Sequence, residues 1–164
     1  MRKILSSSLV VLALVAFAVA AGHAADAPAH PMHHAVQGAA LVWGPVPPPF
    51  APGATMTVVH GDPSGEGPYV IRAKMPAGYR VMPHWHPTAE NVTVLSGGFG
   101  IGAGDTFDRA QGEVLGAGGF VSLPALMHHY AWAETETEIQ VHGMGPFALF
   151  YVNPADDPTP KPKG

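Results

Sequence analysis

Hydrophobic and polar positions alternate with a period of two along much of the chain between Thr55 and Val152. In Tyr69–Met75, for example, the odd-numbered positions are apolar, while Arg72 and Lys74 occupy even-numbered positions. Such alternation is typical of β-strands, and none of these segments keeps the 3.6-residue period of a helix over ten residues. The pattern predicts eight strands, most of them separated by Gly or Pro: Thr55–His60, Tyr69–Met75, Tyr79–Trp85, Asn91–Ile101, Phe120–Leu123, His128–Ala133, Glu136–His142 and Phe147–Val152.

Composition agrees with a single all-β domain. The 164 residues include 20 Gly and 18 Pro, which favours short strands and tight turns over long helices. Apolar residues make up 47% and charged residues 12%, so the chain has enough apolar surface to form a packed core. Strands of this number and length predict a sandwich or a barrel in which the sheet edges are closed or covered.

Charge and cysteine content exclude several classes of function. The net charge is −4 and no run of Lys or Arg follows the first three residues, so nucleic acid is not expected as a partner. The chain has no cysteine, which excludes disulfides, thiolate metal sites and a thiol nucleophile.

The first 24 residues have the pattern of a secretory signal peptide. Arg2 and Lys3 precede a dense apolar run from Leu9 to Ala21, and small residues follow, with cleavage expected near Ala24. The apolar run is about 13 residues, short of the roughly 18–20 that a membrane-spanning helix needs. A retained anchor is the alternative, but the pattern favours export to the periplasm or the medium, with no stable membrane anchor after cleavage.

The rest of the chain divides at changes of composition. Residues 25–54 are rich in His and Pro and are predicted to form a linker and N-terminal arm, in which His30, His33 and His34 are candidates for loose metal capture. Residues 55–153 contain the predicted strands and form the predicted barrel. Residues 154–164 are predicted to be a Pro-rich flexible tail.

One stretch carries most of the candidate chemistry. His84 and His86 are two residues apart, so on a strand their side chains point to the same face. Pro87 ends that strand, and Glu90 follows across a turn, where it can reach the same cavity. Two imidazoles and a carboxylate from one hairpin can bind a metal at low entropic cost. A fourth ligand is expected from a distant strand, either His129 or its neighbour His128, because alternation lets only one of them face inward.

These residues resemble the two sequence motifs of the cupin superfamily. The first motif, G-x5-H-x-H-x3-E-x6-G, is matched at Gly78, His84, His86, Glu90 and Gly97. The second, G-x5-P-x-G-x2-H-x3-N, is matched at Gly118, Pro124 and His129, and departs at Leu126, where a Gly is expected, and at Ala133, where an Asn is expected. A Gly at the position of Leu126 would serve a backbone with positive φ.

The resemblance implies a double-stranded β-helix, which is a jelly-roll-like barrel, with His84, His86, Glu90 and His129 as ligands of one divalent transition metal. Such a ligand set suits Fe, Mn, Zn, Cu or Ni. It leaves up to two positions of a six-coordinate ion open, as catalysis requires. The resemblance also implies a homodimer.

Two hypotheses of function follow. The first is an exported, metal-dependent, oxygenase-type oxidoreductase acting on a small and partly hydrophobic organic substrate. The second is a non-catalytic periplasmic module that binds a metal or a small ligand. The cavity is expected to be apolar apart from the metal ligands, with Arg72, Arg80 and Gln140 as candidate polar exceptions.

Overall fold

A computed structural model describes residues 33–159 of the chain. The predicted signal peptide, His30 and residues 160–164 lie outside the described residues. All the strands lie within residues 35–164, which form one compact unit. No helix among residues 33–159 is long and apolar enough to cross a membrane.

The described residues form an all-β fold of eleven strands in two antiparallel sheets. The six-stranded sheet has the order β1-β2-β3-β10-β5-β8, and the five-stranded sheet has the order β11-β4-β9-β6-β7. Two single-turn 3₁₀ helices, Gly38–Ala40 and Arg109–Gln111, complete the regular structure. The strands are β1 (Gly44–Pro45), β2 (Thr55–His60), β3 (Gly67–Met75), β4 (Arg80–Trp85), β5 (Glu90–Ser96), β6 (Gly98–Ala103), β7 (Glu113–Gly116), β8 (Phe120–Leu123), β9 (His129–Ala133), β10 (Thr137–Gly145) and β11 (Phe150–Tyr151).

The prediction of one continuous strand over Asn91–Ile101 is wrong. Gly97 has φ +81° and ends β5, and β6 then continues in the other sheet. The buried positions change parity at this point, from Val92 and Val94 to Phe99 and Ile101. A Cβ at residue 97 would overlap the backbone of β10, so only glycine fits this crossing between sheets.

The alternation also misses strands that have little buried surface. Strand β7 has no buried residue and pairs with β6 along one edge. The predicted strand Phe147–Val152 is reduced to β11, Phe150–Tyr151, which pairs with β4. The two-residue strand β1, which pairs with β2, lies inside the segment 25–54 that was predicted to be a linker and N-terminal arm.

The inner faces of the two sheets pack against each other to form the core. Buried apolar side chains come from most strands of both sheets, among them Ile71, Val92, Val94, Phe99, Ile101, Ile139 and Val141. Each such side chain contributes roughly 1.5–3 kcal/mol when it is fully buried. The core is interrupted at one end by polar residues from β4, β5 and β9, and this interruption is the candidate site.

Candidate metal centre

Strands β4, β5 and β9 bring the four predicted ligands together. His84 lies on β4 and is the register partner of His129, the first residue of β9. His86 follows the end of β4, and Glu90 is the first residue of β5, so the short connection between these strands places both at one end of the cavity. All four side chains are buried, with 2–9% of each residue's surface exposed.

The donor atoms of the three histidines converge. One ring nitrogen from each of His84, His86 and His129 lies within 4.8 Å of the other two. The Oε2 atom of Glu90 is 3.4 Å from Nε2 of His86 and 3.4 Å from Nε2 of His129, but Glu90 does not belong to the group whose donor atoms all lie within 4.8 Å of one another. Three imidazoles thus surround a common point, as ligands of a transition metal do, and the carboxylate of Glu90 lies beside two of them.

Backbone carbonyls fix the orientation of each imidazole. Nδ1 of His84 is 2.7 Å from the carbonyl oxygen of Met82, and Nδ1 of His129 is 2.9 Å from that of Met127. Nδ1 of His86 is 2.7 Å from the carbonyl oxygen of Ala148. Because a carbonyl only accepts, each Nδ1 carries the proton, and each Nε2 of the neutral ring presents a lone pair to the centre.

The Nε2 atoms of His86 and His129 are buried and have no hydrogen-bond partner within the described structure. An unpaired buried polar atom costs about 1–3 kcal/mol, so its presence needs an explanation. A metal ion at the common point would satisfy these lone pairs. The residues present therefore fit a bound metal, and the backbone carbonyls supply the outer hydrogen bonds that orient metal-binding histidines.

In the metal-free centre, burial and neighbouring charges shift the pKa values of His84, Glu90 and His86 in different directions. Burial, together with the neighbouring His129 and His86, lowers the pKa of His84 to about 3, so this ring is neutral at neutral pH. Burial would raise the pKa of Glu90, but the adjacent His129 and His86 outweigh it and hold the pKa below its ordinary value. Burial likewise lowers the pKa of His86, and the contact with Glu90 reverses this and raises it.

The structure places His129, and not His128, in the centre. His128 is exposed, and its Nδ1 lies 2.6 Å from Oδ1 of Asp105 on the surface. Leu126 adopts φ +64°, the positive φ that a glycine would adopt easily, and its amide donates to the carbonyl oxygen of His86. The turn therefore keeps its shape despite the departure from the motif. Ala133, at the second departure, is a buried core residue.

The four side chains lie at one end of a cavity between the sheets. A water-sized sphere can occupy about 60 Å³ of this cavity. The rest of the wall is apolar, apart from the hydroxyl of Tyr79, which donates to the carbonyl oxygen of Ala51. Apolar wall residues include Val46, Phe50, Ala54, Met75, Val81, Phe99, Ile139, Val141 and Phe147.

The expectation that Arg72, Arg80 and Gln140 line the cavity is wrong. Arg72 donates to Oε1 of Gln140 at 3.1 Å, and both lie on the outer face of the six-stranded sheet. Arg80 lies over the ring of Phe107, outside the barrel. On β3 and β4 the alternation places Arg72 and Arg80 on the face opposite Ile71 and Val81, which line the cavity.

Three features of the site cannot be predicted from motif spacing. The ring of Phe147 stacks on His86, with 4.8 Å between centroids and 21° between planes. The segment predicted as a linker contributes Val46, Phe50 and Ala54 to the cavity wall. The hydroxyl of Tyr69 is also buried without a partner, and burial together with the charge of Glu90 raises its pKa. The sequence does not indicate which distant segments complete an apolar cavity wall, so these contacts could be identified only from the structure.

No protein-family model and no curated protein matches the sequence. Solved structures do match the fold. The polyketide cyclase RemF from Streptomyces resistomycificus is 17% identical over 77% of this chain and 90% of its own, with a TM-score of 0.64. A candidate acetylacetone dioxygenase from Methylibium petroleiphilum is 21% identical over 79% of this chain and 87% of its own, with a TM-score of 0.59.

A third structure carries the name of the fold. An RmlC-like cupin from Shewanella frigidimarina is 15% identical over 69% of this chain and 91% of its own, with a TM-score of 0.54. Identities this low establish a shared architecture and leave the reaction open. The two antiparallel sheets and the site at one end of the cavity between them agree with that architecture. This chain therefore has the cupin fold, the double-stranded β-helix that its two sequence motifs predict.

Proposed function

We propose that this protein is an exported, metal-dependent cupin enzyme of the oxygenase type, which acts on a small organic substrate. His84, His86 and His129 would hold one divalent transition metal through their Nε2 atoms, and Glu90 would hold it through its carboxylate. The observation that carries the proposal is the pair of buried, unpartnered Nε2 atoms on His86 and His129 in a centre whose Nδ1 atoms are all engaged.

A bound transition metal would supply a Lewis acid and, if it is redox-active, electron exchange with dioxygen. The residues of the chain contribute orientation and exclusion of water. The carbonyls of Met82, Met127 and Ala148 keep the imidazoles in one tautomer. The apolar wall keeps the cavity dry and favours a substrate with an apolar body.

The wall offers few groups for acid–base chemistry. Among the described residues that line the cavity, Glu90 is the one carboxylate, and the hydroxyl of Tyr79 is turned toward the carbonyl oxygen of Ala51. A reaction that needs a separate general base from the protein is therefore disfavoured. Oxygen-dependent chemistry fits better, because it requires the protein chiefly to hold the metal and the substrate together.

The same apolar cavity supports a second candidate function, that of a non-catalytic module that binds a metal or a small ligand. A cavity with metal-binding side chains and otherwise apolar walls can retain a ligand without transforming it. Metal identity separates the two candidates, because a redox-inert ion does not support oxygen chemistry.

Export is proposed from the first 24 residues alone. The charged start at Arg2 and Lys3, the apolar run and the small residues before Ala25 support it. Mass spectrometry of the mature protein from a bacterial periplasm tests this point. A new N-terminus near residue 25 is expected, whereas an intact N-terminus in the membrane fraction would contradict export with cleavage.

The metal is tested by expressing the protein without an affinity tag and measuring bound elements by mass spectrometry. We expect about one transition-metal ion per chain in the wild type and loss of that ion in His86→Ala. His128→Ala is the matched control, because His128 is an exposed histidine next to the centre. Fe, Mn, Cu or Ni would support the enzyme, and Zn would favour the binding module. Metal that is absent, or that survives His86→Ala, would overturn the proposal.

A further inference from the structure

The cavity of the candidate metal centre lies next to a groove on the protein surface. The groove has a volume of about 180 Å³ and runs between the prolines at 47–49, the turn at Pro63 and Ser64, and the segment 147–149. Three side chains line both the groove and the cavity: Phe50, Met56 and Phe147. These three side chains therefore form a wall shared by the two spaces.

Phe50 and Phe147 close the passage. Their rings are stacked, with 6.3 Å between centroids and 16° between planes, which leaves no room for a molecule between them. Behind them the ring of Phe147 rests on His86, so a molecule that passes the two rings arrives at the metal-binding side chains. The closed passage thus leads directly to the centre.

The two rings are held in different ways. Phe147 is fixed on several sides, because its amide donates to the carbonyl oxygen of Pro63 at 2.7 Å and its ring packs on His86 and Tyr69. Phe50 belongs to an irregular segment between β1 and β2, where its amide donates to the carbonyl oxygen of Pro47. The ring of Phe50 is therefore the one that can swing aside without disturbing a strand.

Two tyrosine hydroxyls tie the segment around Phe50 to the barrel. Tyr79 donates to the carbonyl oxygen of Ala51 at 2.5 Å, and Tyr151 donates to the carbonyl oxygen of Pro49 at 3.0 Å. These bonds flank Phe50 on both sides. They hold the segment over the cavity while the side chain between them keeps its rotational freedom.

We infer that ligands reach the centre through this groove and that Phe50 is the residue that sets which of them can pass. The passage selects small molecules that present an apolar body to the two rings, because Phe50, Met56 and Phe147 are all apolar. That a ligand binds at the centre rests on the proposed function. The passage itself is a property of the metal-free protein and can be tested without a metal.

The test uses diethyl pyrocarbonate, a small reagent that acylates neutral imidazole, on the metal-free protein. Peptide mass spectrometry gives the rate of modification at His86 and His129, relative to the exposed His128 as an internal reference. We expect the relative rate to rise at least about tenfold in Phe50→Ala, because the passage is opened, and to fall in Phe50→Trp. Phe150→Ala is the matched control, since Phe150 stacks on Trp85 outside the cavity, and it should leave the rate unchanged.

Relative rates that are the same in the wild type, Phe50→Ala and Phe50→Trp would overturn the inference. Circular dichroism and thermal unfolding of each variant show whether it is folded, and Phe50→Trp keeps the test valid if Phe50→Ala unfolds. Failure of the metal proposal appears as absent metal in the elemental measurement, so the two failures are distinguishable.

Discussion

The inward and outward faces of strand β9 are both buried, but their polar atoms differ. On the outward face, the hydroxyl of Tyr130 donates to the carbonyl oxygen of Asp108 at 2.6 Å. The indole of Trp132 donates to Glu134 at 2.9 Å. On the inward face, Nε2 of His129 has no hydrogen-bond partner, although Oε2 of Glu90 lies 3.4 Å away. Within one strand, the outward face satisfies its buried polar groups and the inward face leaves one open.

The outward face also shows how the sequence arranges packing for stability. Gly100 and Gly102 on β6 are the register partners of Trp132 and Tyr130, and a Cβ at either glycine would overlap the facing ring. The rings therefore lie flat on β6, where Phe107 from the following loop packs against both. A satisfied, tightly packed layer of this kind contributes to stability, whereas the open nitrogen on the inward face is available to bind a metal.

The largest expected effect is on the inward face. Replacing His129 with Ala should lower metal affinity by at least about 100-fold, because one ligand of the centre is lost. Tyr130→Phe, on the adjacent position, removes the hydroxyl of the outward face and should leave metal affinity unchanged. Competition with a chromogenic chelator measures both. Equal metal affinities in the two variants would contradict the conclusion that only the inward face of β9 binds the metal.

The second effect belongs to the outward face. Trp132→Ala should lower the free energy of unfolding by about 3–5 kcal/mol, because it removes a large buried side chain that packs on Gly100 and Phe107. Chemical denaturation of the metal-free protein measures this loss. The metal content of the folded variant should stay at the wild-type value. Loss of metal together with intact stability would contradict the assignment of this face to packing.

Much of the difference between the inward and outward faces could be predicted from the sequence, because it depends on the spacing of the histidines and on which positions alternate. His84, His86 and Glu90 lie in one short stretch; the structure groups the two histidines with His129 and places the carboxylate of Glu90 3.4 Å from His86 and from His129. The all-β class and strands such as Thr55–His60 and Phe120–Leu123 also follow from alternation, and the structure has these two with unchanged bounds.

Other features could not be predicted, because they depend on backbone angles and on contacts distant in sequence. The positive φ of Gly97 turns one predicted strand into two, and the change of parity from Val92 and Val94 to Phe99 and Ile101 does not reveal that the second strand joins the other sheet. The stacking of Phe147 on His86 joins residues that are far apart in the sequence. Phe50, in a stretch that has the composition of a linker, completes the cavity wall only when that stretch folds back over the barrel.

The third prediction concerns pH and the metal-free protein. The folded state holds the pKa of His84 at about 3, below its ordinary value of 6.5, so between these values the unfolded state binds more protons. Stability contributed by a neutral His84 is therefore present above pH 6.5 and is lost as pH falls toward 3, at up to about 1.4 kcal/mol per pH unit. Urea denaturation of the wild type and His84→Asn over this range measures the difference.

Glu90 and His86 also make stability depend on pH, and comparison with His84→Asn separates their effects from that of His84. The lowered pKa of Glu90 adds stability that is lost at low pH, while the raised pKa of His86 adds stability that is lost as pH rises. Both residues remain in His84→Asn, so the difference between the two proteins reports mainly on His84. Curves that run parallel from pH 6.5 to 4 would contradict a depressed pKa at this position.

The smallest effect lies in the turn that leads into β9. Leu126 has φ +64°, a conformation that costs roughly 1–2 kcal/mol for a residue with a Cβ, and its side chain is 63% exposed, so little burial offsets the cost. Leu126→Gly should raise the free energy of unfolding by about 0.5–1 kcal/mol, since glycine removes the strain but gains freedom in the unfolded chain. Leu126→Ala keeps a Cβ and should give no such gain in chemical denaturation. Metal affinity should not change, because the amide of residue 126 still donates to the carbonyl oxygen of His86. A destabilised Leu126→Gly would mean that the leucine side chain, and not the backbone turn, holds His129 in register.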